Sequence, residues 1–150
     1  MTVMVIGQSS ATAPASTVAP RLAADRCRAL LGGAVAGHLA LSQGALPLVL
    51  PVTCAVDGEY LLVRAGVGLL GRAPFQPGIV AFQTAAGNFD HSGRWEVMVQ
   101  GRAEVLEGPT GPIMPPGIPL VPDEFTTVLR VSMELVTGWQ YGGWPAGPAS

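Results

Sequence analysis

The 150-residue sequence contains no lysine, because all eight of its basic residues are arginines. An amine side chain is needed for a Schiff base and for a Walker-type phosphate loop, so both are excluded. Charged residues make up only 12% of the chain and the net charge is −2, which gives no electrostatic signal for nucleic acid. Because the chain is so rich in apolar residues, we expect it to bury surface against a partner, and a second copy of the chain is the simplest partner.

Cysteines and histidines number two each, which is too few and too scattered for a metal site. Cys27 and Cys54 form no CxxC motif, and we expect two buried thiols rather than a disulfide. No apolar run reaches membrane-spanning length without proline or glycine, and the N-terminus has no basic leader segment. We therefore expect a cytoplasmic protein with no metal, nucleic-acid or membrane partner.

The chain divides into a flexible N-terminal arm over 1–20, one domain over 21–141 and a C-terminal tail over 142–150. Apolar residues at helical spacing predict a short helix over 22–31. The rest alternates between apolar and polar residues, which predicts a mainly β fold: a small six-stranded antiparallel β-barrel with one short N-terminal helix, which the resemblance described below makes a split β-barrel. The predicted strands are 35–42, 46–56, 59–64, 78–84, 94–106 and 126–136.

The clearest local signal is a hairpin in the block ALPLVLPVTCAVDGEYLLVRA, residues 45–65. Asp57-Gly58 between two apolar runs predicts a type I′ turn, because both central residues of that turn need a positive φ. The second strand of this hairpin ends on Arg64. A guanidinium at the mouth of an apolar sheet has to meet water or an anion, so the hairpin predicts a phosphorylated ligand at the rim.

Two further features concern the second half of the chain. Gly101 interrupts the well-alternating strand 94–106 and predicts a bend of the kind that closes a barrel. The proline-rich residues 108–122 can form neither a helix nor a central strand, and they carry no readable chemistry.

Taken in order, these segments resemble the pyridoxamine 5'-phosphate oxidase-like family, the FMN-binding split barrels, from about residue 24 to residue 141. The resemblance is carried by RCRALLGG before VAGHLAL, PVTCAVDGEYLLVR, GIVAFQT followed by NFD, RWEVMVQGRAEVL and VLRVSMELVTGWQY. It implies a homodimer with two cofactor sites along the subunit interface. Each site would hold a flavin against strand backbone, and the protein would be an oxidoreductase acting on a small molecule.

The same resemblance implies the residues that meet the cofactor. Arg64 matches an arginine that contacts phosphate, Trp95 matches a strand tryptophan near the dimer interface, and Arg130 matches a late-strand arginine. The glycine-rich loop after Arg64 would add backbone N–H groups to the phosphate site. The full set of predicted cofactor-binding residues is Val52, Thr53, Cys54, Arg64, Ala65, Gly68, Leu70, Arg72, Trp95 and Arg130.

Two positions depart from the family pattern, because relatives place a hydroxyl residue and then a lysine where this sequence has Ala65 and Leu70. Each missing charge-assisted hydrogen bond lowers affinity roughly ten- to hundredfold, unless Arg72 substitutes for the lysine. FMN is the predicted cofactor. A reduced deazaflavin, which has a longer anionic tail, and a barrel that has lost its cofactor and serves as a binding module are the alternatives.

Three other motifs do not predict sites. Residues 66–71 spell GxGxxG, but Pro74 and Pro77 exclude the helix that a dinucleotide site needs. The contiguous residues 90–92, Asp-His-Ser, diverge from one another and make no catalytic triad. His38 lies among small residues, and we expect it to be a structural histidine.

Overall fold

The computed structural model describes residues 21–66, 77–87, 93–107 and 113–141. The predicted arm over 1–20 and the predicted tail over 142–150 lie outside these residues. The elements are α1 (Ala24–Gly32), β1 (Ala36–Gln43), β2 (Leu46–Asp57), β3 (Tyr60–Gly66), β4 (Gly78–Ala86), β5 (Trp95–Leu106), a 3-10 helix (Asp123–Phe125), β6 (Thr126–Ser132) and β7 (Leu135–Gln140). None of the helices described is long and apolar enough to cross a bilayer.

Six of the strands close an antiparallel barrel in the order β1-β2-β3-β6-β5-β4, with β4 pairing back onto β1. This confirms the predicted mainly β, six-stranded barrel with one short N-terminal helix. The last predicted strand, 126–136, is broken at Met133 and Glu134. Its second part, β7, leaves β6 and pairs with the first half of β5.

Gly101 lies at the point where β5 changes partners. β5 pairs with β7 as far as Gln100, and with β6 from Ala103 onward. A Cβ atom at Gly101 would collide with the carbonyl oxygen of Ser132. Glycine therefore allows the two backbones to approach where the sheet bends, as the sequence predicts.

Where β5 changes from β7 to β6 as its partner, side chains accept the hydrogen bond of a backbone N–H group that the sheet leaves unpaired. The Ser132 hydroxyl donates to Glu134 Oε2 at 2.6 Å, and the backbone N–H of Arg102 donates to both of those oxygens at 3.1 Å. The bond from Ser132, followed by the bond from Arg102, lowers the pKa of the Glu134 carboxyl. The Arg102 N–H is thereby paired although the ladder is interrupted beside it.

The β2–β3 hairpin is confirmed, but its turn differs from the predicted type. Asp57 pairs with Tyr60, so Gly58 and Glu59 are the central residues, and Gly58 has a positive φ of 62°. Among the described residues the one non-glycine with positive φ is Leu120, so neither Asp57 nor Glu59 has one. A positive φ at the first central residue alone is the pattern of a type II′ turn, and the type I′ prediction was wrong.

Inward-facing side chains of the strands form a single core, which α1 covers with Cys27 and Leu31. Helix α1 begins at Ala24, two residues later than predicted. Cys27 and Cys54 are free and buried, as the sequence predicts. Burial raises the pKa of both thiols, that of Cys54 to about 11.

Candidate functional site

A row of four side chains crosses the outer face of the barrel. Ala36 of β1 pairs with Thr53 of β2, Thr53 with Arg64 of β3, and Arg64 with Val128 of β6. Paired residues point to the same side of a sheet, and the chain neighbours of Thr53 and Arg64 point into the core. Because adjacent strands lie about 4.8 Å apart, Arg64 is roughly 10 Å from Ala36 along this row.

Arg64 is held firmly although it lies on the outer face. Its side chain is only 12% exposed. Nε donates to the carbonyl oxygen of Pro115 at 3.3 Å and Nη1 to the hydroxyl of Thr126 at 2.9 Å, while a carboxylate oxygen of Asp123 lies 4.0 Å from Nη1. The Thr53 hydroxyl donates to the carbonyl oxygen of Pro116. The structure thus brings the predicted residues Thr53 and Arg64 together, under a proline-rich segment.

A cavity of about 490 Å³ opens at the Ala36 end of the row, where β1 and β4 separate. β1 pairs with β4 only from His38 to Ala40, so the two strands diverge towards Ala36. The Thr84 hydroxyl spans the gap and donates to the Ala36 carbonyl at 2.8 Å. The cavity is within the size range of small-molecule sites. Its lining residues are Ala36, Gly37, His38, Pro51, Val52, Gln83, Thr84, Ala85 and Arg94.

His38 is a candidate that the sequence analysis did not select. It is exposed, and it lines both this cavity and a second, smaller one of about 350 Å³ formed by residues of β1, β2, β4, β5 and β7. Gln83 faces His38 across the β1–β4 pairing and lines the same two cavities. The alternation of strand 35–42 already places His38 opposite the apolar face of Leu39 and Leu41, which was the available signal.

Three of the predicted cofactor residues point away from this face. Val52, Cys54 and Ala65 are 3%, 1% and 0% exposed, and all belong to the core cluster. Val52 nevertheless lines the 490 Å³ cavity, whereas Cys54 and Ala65 do not, and a contact from these two positions to a ligand on the outer face would be made by backbone. The absence of a hydroxyl at position 65 therefore removes no side-chain donor from the row.

Trp95 lies far from Arg64, whereas Arg130, which pairs with Leu62, is a diagonal neighbour of Arg64 on the same face. Trp95 begins β5, whereas Leu106, at the other end of that strand, pairs with Val128 next to Arg64. Trp95 directly follows Arg94, which lines the 490 Å³ cavity.

Arg130 forms an ion pair with Glu104 and lies over the ring of Tyr60, 4.4 Å from its centroid. Both interactions are local to the outer face of β3, β5 and β6, so Arg130 is engaged within its own cluster.

The remaining predicted residues, Gly68, Leu70 and Arg72, lie outside the described residues, as does the Asp-His-Ser sequence at 90–92. Within the described ranges, no three histidine, cysteine or acidic side chains come close enough to hold a metal ion.

The arrangement suits an elongated ligand with one anionic end. Arg64 and Thr53 supply a guanidinium and a hydroxyl, donors of the kind that bind oxyanions, while the Thr126 hydroxyl accepts from Arg64 and donates to the Asp123 carbonyl oxygen at 2.7 Å. At the other end, the cavity offers mainly small and apolar surface with His38, Gln83 and Arg94 as polar groups, which suits a flat ring with hydrogen-bonding edges.

Comparison with known proteins agrees with the fold. Residues 23–111 match the family model described as pyridoxamine 5'-phosphate oxidase. This chain belongs to the pyridoxamine 5'-phosphate oxidase family. The resemblance inferred from the sequence is confirmed, and the matched residues include the whole β2–β3 hairpin with Thr53 and Arg64.

Solved structures of this family's fold are similar to the chain at low identity. A putative pyridoxamine 5'-phosphate oxidase from Corynebacterium glutamicum has a TM-score of 0.64 at 17% identity, covering 81% of this chain and 97% of that one. An FAD-binding protein from Mycobacterium smegmatis has a TM-score of 0.57 at 18% identity, with coverages of 81% and 97%. An F420 reductase has a TM-score of 0.50 at 20% identity, with coverages of 73% and 94%. No curated protein matches the chain.

Proposed function

We propose that this family member is an oxidoreductase that binds FMN at the interface of a homodimer and acts on a small molecule. The observation that carries the proposal is the row from Ala36 through Thr53 to Arg64. It joins a cavity of about 490 Å³ to an arginine roughly 10 Å away. A flavin ring in the cavity would leave its phosphate at Arg64.

The role of the protein in such a site is to bind and orient. A flavin, when bound, itself supplies the hydride or electron transfer. Arg64 and the hydroxyl of Thr53 would donate to phosphate oxygens, with the Arg64 guanidinium held in place by the Thr126 hydroxyl. His38, Gln83 and Arg94 would offer polar contacts to the edge of the ring.

The outer face around the cavity supports a second copy of the chain as partner. Val49 and Ile79 are 65% and 59% exposed there, in a largely uncharged surface. Apolar faces of this kind are typical of homodimer interfaces, and covering this one would enclose the cavity. The side chains of the face are Ala36, His38, Ala40, Ser42, Pro47, Val49, Pro51, Ile79, Ala81 and Gln83.

The proposed homodimer is tested by measuring the molecular mass of the protein in solution. Sedimentation of the purified protein should give twice the protomer mass of 15.4 kDa. Val49→Glu should yield protomers, because it places a charge in the interface and leaves the core untouched. Leu120→Glu, a change at a fully exposed apolar residue outside this face, should leave the mass unchanged. A wild-type protein that sediments as a protomer would overturn the proposal of a dimer.

FMN binding is tested on the purified protein by its absorbance spectrum and by titration. We expect either a flavin band in the protein as isolated or saturable quenching of added FMN fluorescence. A protein that shows no flavin band and does not bind FMN would remove the proposal.

A deazaflavin-dependent reductase of the same fold is the second candidate. It is favoured by Leu70, which stands where relatives are expected to carry a lysine for the phosphate, and by the similarity to an F420 reductase. A thermal shift with a deazaflavin but not with FMN would select it. Indifference to both cofactors would favour a non-catalytic binding module.

A further inference from the structure

Residues 113–125, here called the strap, lie between β5 and β6 and contact the Arg64 site. The contacts that reach Arg64 and Thr53 are made by oxygen atoms: the carbonyls of Pro115 and Pro116, and the carboxylate of Asp123. A phosphate group presents the same chemistry, negatively polarised oxygens, to the same guanidinium and hydroxyl donors. Oxygen atoms of the strap and of an anionic ligand would therefore accept hydrogen bonds from the same donors, Arg64 and Thr53.

The strap is lightly attached to the barrel. Pro115 is the only one of its thirteen residues that is buried. Two backbone hydrogen bonds within it are local, from Val121 N–H to the Ile118 carbonyl at 3.0 Å and from Phe125 N–H to the Pro122 carbonyl at 2.9 Å. A segment with few buried contacts opens more readily than the strands beneath it.

The strap also contains a strained turn. Pro119 and Leu120 are the central residues of the turn closed by the Val121–Ile118 hydrogen bond, and Leu120 has a φ of 65°. Turns with proline first and a positive φ second favour glycine at that second position. The Leu120 side chain is fully exposed, so no packing offsets the strain.

We propose that the strap is a built-in competitor for the anion site. An anionic cofactor would bind by displacing the Pro115 and Pro116 carbonyls and the Asp123 carboxylate from Arg64 and Thr53. This inference rests on the proposed function, because it takes Arg64 as the anchor of the cofactor phosphate. It adds that affinity for the cofactor is set by how firmly the strap is docked.

The test compares Asp123→Ala with Glu124→Ala. Both residues lie in the 3-10 helix and are exposed, but only the carboxylate of Asp123 is within 4.0 Å of Arg64 among the described contacts. In the absence of ligand, amide hydrogen exchange at Val121 should be several-fold faster in Asp123→Ala than in wild type, and unchanged in Glu124→Ala. FMN should bind Asp123→Ala about two- to fivefold more tightly, the scale of one partly exposed ion pair.

Riboflavin, which has the same ring but no phosphate, is the matched ligand control. Its affinity should be equal in the two variants, because it does not compete for Arg64. On binding FMN, the wild-type protein should exchange faster at Val121 and more slowly in β3.

The results that would contradict this proposal can be distinguished from those that would contradict the proposed function. If FMN binds wild type and Asp123→Ala equally, or if exchange at Val121 slows on binding, the strap does not compete and this proposal is overturned while the proposed function stands. If no variant binds FMN, the proposed function fails, and this inference fails with it.

Discussion

The two faces of the β2–β3 hairpin differ completely in chemistry, although their residues alternate along the same strands. Val52, Cys54 and Ala65 face inward and are almost fully buried. Thr53 and Arg64, their direct neighbours, face outward and donate to the strap. Successive side chains of a strand point to opposite faces, so only every second residue can present its side chain to a ligand on one face. When consecutive residues are matched to a family's binding site, about half of them therefore face the core.

Alkaline pH should have the largest effect, and it tests the inner face. The thiol of Cys54 has a pKa of about 11 in the folded protein, against 9.0 for an unburied thiol. Because the folded pKa is the higher, only the unfolded chain loses this proton between those values. The free energy of unfolding should therefore fall by up to about 3 kcal/mol as the pH rises from 9 to 11.

Urea unfolding under reducing conditions at pH 8 and pH 10.5 measures this loss. Cys54→Ala should be less stable than wild type at pH 8, because it leaves a cavity, but should lose less stability on going to pH 10.5. Equal losses in the two proteins would show that Cys54 is not shielded from solvent as the inner face requires.

Ala65→Ser tests the same difference between the inner and outer faces of the hairpin, with a smaller expected effect on the free energy of unfolding. It restores a hydroxyl where relatives are expected to carry one, but the structure directs that hydroxyl into the core. The free energy of unfolding should fall by about 1–2 kcal/mol, and FMN affinity should stay within about twofold of wild type. Ala55→Ser, the same change at a half-buried position that shares the outer face with Thr53, should cost less stability. A tighter FMN complex with Ala65→Ser would contradict the assignment of faces.

Much of the barrel was predictable because alternation of apolar residues reports which face of a strand is buried. The pattern in strand 94–106 and the glycine at 101 indicated both a strand and its bend. The break at Met133 and Glu134 was not predictable, since Leu135 continues the alternation of apolar and polar residues across it. The break depends on a change of partner on β5, which is a tertiary feature.

The candidate site was less predictable than the fold. Arg64 was evident as a charge in an apolar strand, although the strand continues to Gly66 and does not end on Arg64 as predicted. The docking of the strap on Arg64 was not, because prolines carry no periodic signal and their backbone carbonyls are the contacting groups. The cavity also arises from tertiary structure, where β1 and β4 stop pairing, and it involves His38 and Gln83 from separate strands.

The most direct test of the account is the affinity of Arg64→Gln for FMN and for riboflavin, with Arg26→Gln, an exposed arginine of α1, as control. If Arg64 anchors the phosphate, its loss should weaken FMN binding roughly ten- to hundredfold and change riboflavin binding by less than about twofold. Arg26→Gln should bind both ligands as wild type does. Equal losses for FMN and riboflavin in Arg64→Gln, or no loss for either, would contradict the central claim that the outer face of β3 holds the anionic end of the ligand.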